Sequence, residues 1–229
     1  AVGRPKRAAL QDGGMSNDAT GTDEGVGDLP DAAREEIARS VRAALAKHGY
    51  ADLTTKQVAA ESAKSEAFFF YHCDSKAELI LVFLDWAAEY SLGRLEAVAD
   101  DPDPARRLYR ACDMLLGDPA DDLQRGTYVA IMELLAHAAH DEAFAERLTR
   151  YERRVLDDLA GFVRDGIESG DFRDVNPEQV AGVVLMTADG TAGAVMALGM
   201  ADVGENVRAG VFEYLDRVVL AEGRERPAL

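Results

Sequence analysis

The sequence predicts an all-α fold on three observations. Apolar residues recur at three- and four-residue spacing along most of the chain, helix-capping signals separate those stretches, and no run alternates apolar and polar residues over a strand's length. At 229 residues, 48% of them apolar, the chain is long and apolar enough for a sizeable core. It divides into a tail over 1–30, a small helical unit over 31–79 and a larger helical unit over 80–229.

The tail is rich in Gly, Asp, Thr and Ala and lacks periodicity, so it is expected to be disordered. Arg4, Lys6 and Arg7 could form a basic arm for DNA, although Met15 suggests that residues 1–14 lie upstream of the natural start. No apolar run follows the basic residues, so no secretory signal is expected.

Asp31 after Pro30 is expected to cap the first helix, whose Ile37, Val41 and Leu45 form one buried stripe; Lys47 and His48 lie in its last turn and Gly49 ends it. Three helix starts then come in quick succession. Thr54 with Gln57, and Ser75 with Glu78, have capping-box spacing, and Ser65 is a third cap. They predict short helices over roughly 55–61 and 66–72 around a turn at Ser62, Ala63 and Lys64, then a long helix from Lys76 to about Val98. Short helix, tight turn, short helix is helix-turn-helix geometry. Val58, Ala59, Phe69 and Phe70 are candidates for its small core.

Asp103-Pro104 opens a helix to about Leu116, stopped at Gly117-Asp118-Pro119. Helices follow over roughly 121–139 and 142–168, the second ended by Gly170. Asn176-Pro177 with Gln179 starts another, and the last spans roughly 204–221 with Val207, Val211, Leu215, Val218 and Val219 as its stripe. Gln179–Met200 has the length of a membrane span, but Asp189 at its centre would cost about 2.5–3.5 kcal/mol on insertion. Its small residues, Gly182, Ala188, Gly190, Ala192, Gly193 and Ala197, fit a buried interface helix instead, and no membrane is expected.

From Gly49 through Leu79 the sequence resembles the DNA-binding domain of TetR-type transcriptional regulators. The likeness rests on the glycine-aromatic end of the first helix, Thr54-Thr55, Val58-Ala59, Ser65 at the recognition helix, and the aromatic cluster followed by Ser75, Lys76 and Leu79. Two departures stand out. Ala63 replaces the usual turn glycine, so that position must be right-handed or accept a small penalty. Phe70-Tyr71-His72-Cys73 replaces Tyr-His-Tyr-Phe, so the phosphate contact of the missing Tyr passes to Tyr71 or His72. The resemblance implies a homodimer through the last two helices, suited to a palindromic operator of double-stranded DNA, and a small-molecule effector bound among the central helices.

Within that frame, Thr54, Thr55, Lys56, Gln57, Lys64, Ser65, Glu66, Ala67, Phe68, Tyr71, His72 and Lys76 are the expected DNA-binding residues. Glu66 can accept from cytosine N4, and Phe68 can meet a thymine methyl; Lys56, Gln57, Lys64, Tyr71, His72 and Lys76 would hold phosphates. Trp86, Tyr90, Tyr109, Tyr128, Met132, Tyr151 and Met186 are the candidates to line an effector cavity as a set, although each taken alone reads more simply as core. Asp189 either bonds across the dimer interface or faces a ligand.

Charge fits the division. The net charge of −17 splits into −2 over 1–30, −1 over 31–80 and −14 over the rest, so the part expected on DNA is near neutral. With only five Lys and an excess of Asp, the composition resembles that of proteins adapted to molar salt. There the screening length is about 3 Å and counterion release contributes little, so affinity must come from hydrogen bonds and base contacts. Cys73 and Cys112 give no disulfide framework and suit a reduced, cytoplasmic chain.

Catalysis finds no support: no nucleophile elbow, phosphate-binding glycine loop or zinc-protease motif is present, and Asp121-Asp122 and Asp157-Asp158 splay apart on a helix. His137, His140 and Asp141 are too few for a metal site, and no cofactor is expected. The function expected is therefore a dimeric, ligand-responsive DNA-binding regulator, most simply a repressor. Its rivals are a helical interaction protein that has lost DNA binding, suggested by Ala63, Phe70 and Cys73, and a helical enzyme working in the same cavity.

Overall fold

The structure, a computed structural model, describes residues 29–117 and 122–229. The tail with its basic arm, and the stop expected at Asp118 and Pro119, fall outside them. The architecture is all-α: α1 Asp31–Asp52, α2 Thr55–Ala60, α3 Glu66–His72, α4 Lys76–Ala99, α5 Pro104–Leu116, α6 Asp122–Ala138, α7 Glu142–Ser169, α8 Pro177–Ala192 and α9 Ala201–Tyr214. Short π-helical turns follow α8 (Gly193–Ala197) and α9 (Leu215–Val219), widening the helix by one residue per turn at each place.

The caps sit where the side-chain chemistry puts them. Thr54 and Gln57 form a reciprocal box, and Ser75, Asp103, Asp141 and Asn176 each accept from the first turn of their helix. Asp31 does not cap α1: the chain enters through Pro30, whose carbonyl accepts from Ala33 and Arg34, and Asp31 lies in the first turn, where its charge meets the helix dipole. At Gly49, expected to end the first helix, the helical backbone does break, with φ 68° and ψ 166°, a conformation that only glycine takes without strain, and Tyr50–Asp52 continue α1 beyond that kink. The last helix begins earlier than expected and ends in the π-helical turn at Leu215–Val219.

Two apolar cores share α4 and α7. One gathers Ile37, Val41 and Leu45 of α1, Val58 of α2, Phe69 of α3, Leu79, Ile80 and Phe83 of α4, Leu134 of α6 and Phe144 of α7. The other joins Leu95 of α4, Leu108 and Tyr109 of α5, Leu159 and Val163 of α7, Val184 and Leu185 of α8, and Phe212 and Leu215 at the end of the chain. Thus α1, against which α2 packs, rests directly on α6, in one core with the start of α7. The α7–α8 turn is pinned to the chain end by a single antiparallel bridge, Phe172 to Leu220. Gly166 admits the Phe172 ring there, since a Cβ would lie 2.0 Å from Phe172 Cδ2. Helix Pro177–Met196 is long and apolar enough to cross a membrane, yet Val180, Val184, Leu185 and Ala188 pack in the core, and Asp189 lies within it.

Candidate nucleic-acid interface and effector cavity

The turn between α2 and α3 is built without a left-handed residue: among the described residues only glycines have positive φ. A serine side chain replaces the missing glycine. Ser62 Oγ accepts from the Lys64 amide at 2.9 Å and donates to Glu36 of α1, which also holds Arg39. A side-chain bridge of this kind mimics a backbone turn, and it fastens the turn to α1.

In α3 Phe69 is fully buried and anchors the helix, and Cys73, one turn on at its C-cap, is buried as well. About 100° of rotation per residue then fixes the rest. Phe68 is half-buried, edge-on to Phe69 at 5.3 Å and to His72 at 4.7 Å, so it packs rather than reaching outward as expected. Phe70, expected in the core, is 54% exposed instead, and Tyr71 is 83% exposed. With Lys64, Ser65, Glu66 and Ala67, all exposed, they make the outward row of the helix-turn-helix. Lys56 and Thr54 are exposed at the start of α2 and Thr55 is half-buried; Thr54 and Gln57 are engaged with each other, Gln57 Oε1 accepting from the Thr54 amide and hydroxyl, both at 2.8 Å. Lys76 does not project freely. Its ammonium donates to the Tyr50 carbonyl at 3.0 Å and lies 4.4 Å from the Tyr50 ring centre.

The second candidate region lies where the two cores meet. Trp86 and Tyr90, one turn apart on α4, stack with centroids 5.4 Å apart and planes within 9°. Tyr128 of α6 and Tyr151 of α7 close on them, Tyr151 hydrogen-bonded to Ser91, and burial raises the pKa of both phenols. Against these rings stand two carboxyl groups. Burial, and then the Asp189 carboxylate, push Glu152 up to about 7, while burial alone pushes Asp189 up to about 6. Glu152 Oε2 is buried with no hydrogen-bond partner among the described residues. Tyr128 also lines a cavity of about 710 Å³ with Arg94, Met114, Thr191, Met196 and Arg208, and Tyr151 lines a cleft of about 670 Å³ between α1, α4 and α7.

Four of the seven aromatic and methionine candidates therefore gather: Trp86, Tyr90, Tyr128 and Tyr151. The others do not. Tyr109 is fully buried between α5 and α9, its hydroxyl bonded to Asp216 at 2.6 Å and its ring edge-on to Phe212; Met132 packs on the core of α1 and α4; and Met186 is 56% exposed on the outer face of α8. Their shared apolar character carried no information on which face of each helix they occupy. Phe70 and Glu152 were missed. An aromatic triplet does not say which ring turns outward, and Glu152 sits beside Arg153 and Arg154 in a stretch that reads as solvated. Asp189 had a signal, as the lone charge of an apolar segment. Cys73 and Cys112 are free and buried, and burial pushes their thiols up to about 11 and about 12. His137 packs at a tilt against Tyr50, with ring centroids 4.4 Å apart, and His140 is exposed.

The comparisons with known proteins agree with this fold. The family described as "BetI-type transcriptional repressor, C-terminal" matches residues 104–220. No curated protein matches the chain. A TetR transcription regulator from Haloarcula marismortui is 32% identical, covers 82% of this chain and 98% of its own, and superposes with a TM-score of 0.75. A transcriptional regulator from Saccharomonospora viridis, in complex with choline, shares the fold at 20% identity, over 84% of this chain and 100% of its own, with a TM-score of 0.75. SmeT bound to triclosan shares it at 19% identity, over 86% and 96%, with a TM-score of 0.68.

Proposed function

Because the chain belongs to the TetR family of transcriptional regulators, we propose that it binds double-stranded DNA as a homodimer and releases it when a small molecule enters the seam between its two cores. Residues 31–79 bind DNA; residues 80–229 sense and dimerise, in the cytoplasm and in high salt. The observation that carries this reading is the outward row Lys64, Glu66, Ala67, Phe70 and Tyr71, held by the buried Phe69 and by the Ser62–Glu36 tie. Phe70 offers apolar contact to a thymine methyl, Glu66 an acceptor for cytosine N4, and Tyr71 and Lys64 contacts to phosphate.

Dimerisation is supported by the outer face of the last helices. Val183, Met186, Leu198, Met200 and Val218 are exposed apolar residues on α8 and on the segments that flank α9, and apolar surface left in water there is costly. The seam sets aromatic ring faces beside Glu152 and Asp189, surroundings that suit a cation, while the cavity that Tyr128 lines also carries Arg94, Arg110 and Arg208. The Saccharomonospora viridis neighbour, which holds choline, fits that chemistry.

A mobility-shift titration on a duplex selected in vitro with the full chain, in low and near-molar KCl and with a choline series, tests the reading. Retarded DNA that choline releases is the expected result. Failure to retard any selected duplex at either salt would favour a helical interaction protein that has lost DNA binding.

A further inference from the structure

Three charged side chains meet around Tyr128 without partners of their own. Arg94 of α4 lines the cavity of about 710 Å³ together with Tyr128 and, among the described residues, has neither a hydrogen bond nor an ion pair. Arg110 and Arg208 of the same cavity are engaged, the first with Asp101 at 3.3 Å and the second with Asp113. Of opposite sign, Glu152 Oε2 is buried with no hydrogen-bond partner among the described residues, and Asp189 likewise has no hydrogen bond or ion pair there. Resting on the reading of this region as the effector site, we propose that its ligand is a small zwitterion, whose ammonium group sits at Glu152 and Asp189 and whose carboxylate reaches Arg94.

The helices set these groups along one site. Trp86, Tyr90 and Arg94 recur at four-residue spacing on α4 and so share one face, with Arg94 one turn, about 6 Å, beyond Tyr90 of the stacked pair. On α8 Asp189 lies one turn before Ala192, which lines the cavity. Tyr128 is close enough to respond to both poles: burial raises its phenol first, Arg94 opposes that rise, and Asp189 and Glu152 add to it. Yet no ion pair joins Arg94 to either carboxylate, so the fold holds the two signs apart. Asp113 is engaged with Arg208 and Glu205 is exposed, so neither of these cavity carboxylates neutralises Arg94. Unpaired charges in a half-buried site are unfavourable, and a ligand relieves that only by bringing a counter-charge to each. A cation answers the carboxylates and leaves Arg94 as it was, while an anion does the reverse. A zwitterion answers both, its ammonium against the carboxylates and the ring faces, its carboxylate in the fork of the guanidinium.

Titration calorimetry of the full chain with choline and with a series of trimethylammonio carboxylates, one to four methylenes between the charges, isolates the anionic end, because the cationic head is the same throughout. The wild type is expected to bind the best-spaced carboxylate about tenfold more tightly than choline. Arg94→Gln should bring that carboxylate down to the level of choline while leaving choline itself within about twofold. Arg94→Lys, which keeps the charge without the fork, should fall between the two. Glu152→Gln should weaken both ligands, and unchanged binding of both would overturn the placement of the ammonium. Choline bound as tightly as every carboxylate by the wild type would overturn the zwitterion and leave the effector reading intact, a comparison that needs no variant to fold. Equal weakening of choline and carboxylate in Arg94→Gln would make Arg94 a structural residue and overturn its part. A wild type that binds neither choline nor any carboxylate would overturn the effector reading and the zwitterion with it.

Discussion

Lys76 illustrates how one contact redirects a residue. By its position at the start of α4 it is a phosphate partner, but its ammonium is held by the carbonyl and ring of Tyr50. Among the described residues the Lys64 ammonium has no such tie beyond a 5.8 Å approach to the half-buried Phe68. Lys64→Ala should therefore lower the magnitude of the log K against log salt slope by about 1. Lys76→Ala should do so only if the ammonium leaves Tyr50 on DNA; if it stays, the loss appears as about 0.5–1 kcal/mol of stability in denaturant titration, with the slope unchanged. Glu152 and Asp189 give the opposite kind of signal. Both carboxyls hold a proton more tightly in the folded chain than the ordinary carboxylate, so the stability they favour is full below about pH 4 and is lost as pH rises through about 6 and about 7. Glu152→Gln should flatten the fall in Tm between pH 5 and pH 8. A cation in the seam should bind more tightly across the same rise, because it needs the ionised carboxylates.

At the scale of elements, what was legible in the sequence is what is local. Caps at Thr54, Ser75, Asp103 and Asn176 announce themselves within four residues, and the helices start there. The α2–α3 turn was only half legible. Ala63 signalled a departure, but its solution depends on Glu36, 26 residues before Ser62. Because the turn needs no positive φ, Ala63→Gly should destabilise by about 0.4–1 kcal/mol through the freer unfolded chain, read as a lower denaturation midpoint with an unchanged m-value. A gain in stability would show the turn to be strained at residue 63. The Tyr50–Glu133 contact was not legible at all: its partners are 83 residues apart, and neither belongs to a periodic stripe that predicts the other. The same holds for the seam, where Tyr90, Tyr128, Tyr151 and Glu152 meet from three helices.

For the whole molecule, the charge distribution and the apolar outer face act together. The −14 carried outside the first eighty residues repels a second copy at low ionic strength, and about 1 M salt removes that repulsion beyond about 3 Å. Association through Val183, Met186, Leu198 and Val218 is then expected to strengthen with KCl. Sedimentation should show twice the chain mass in near-molar KCl, and Met186→Glu with Leu198→Glu should return a folded monomer. A monomeric wild type at every salt would remove the dimer, and with it the reason to expect a palindromic operator. The central claim, that the outward face of α3 reads DNA, is tested most directly by fluorescence anisotropy of the selected duplex against a scrambled one, comparing the wild type with Phe70→Ala/Tyr71→Ala. The account predicts that the wild type prefers the selected duplex and that the double variant, still folded and dimeric, loses that preference; equal preference in both proteins would contradict it.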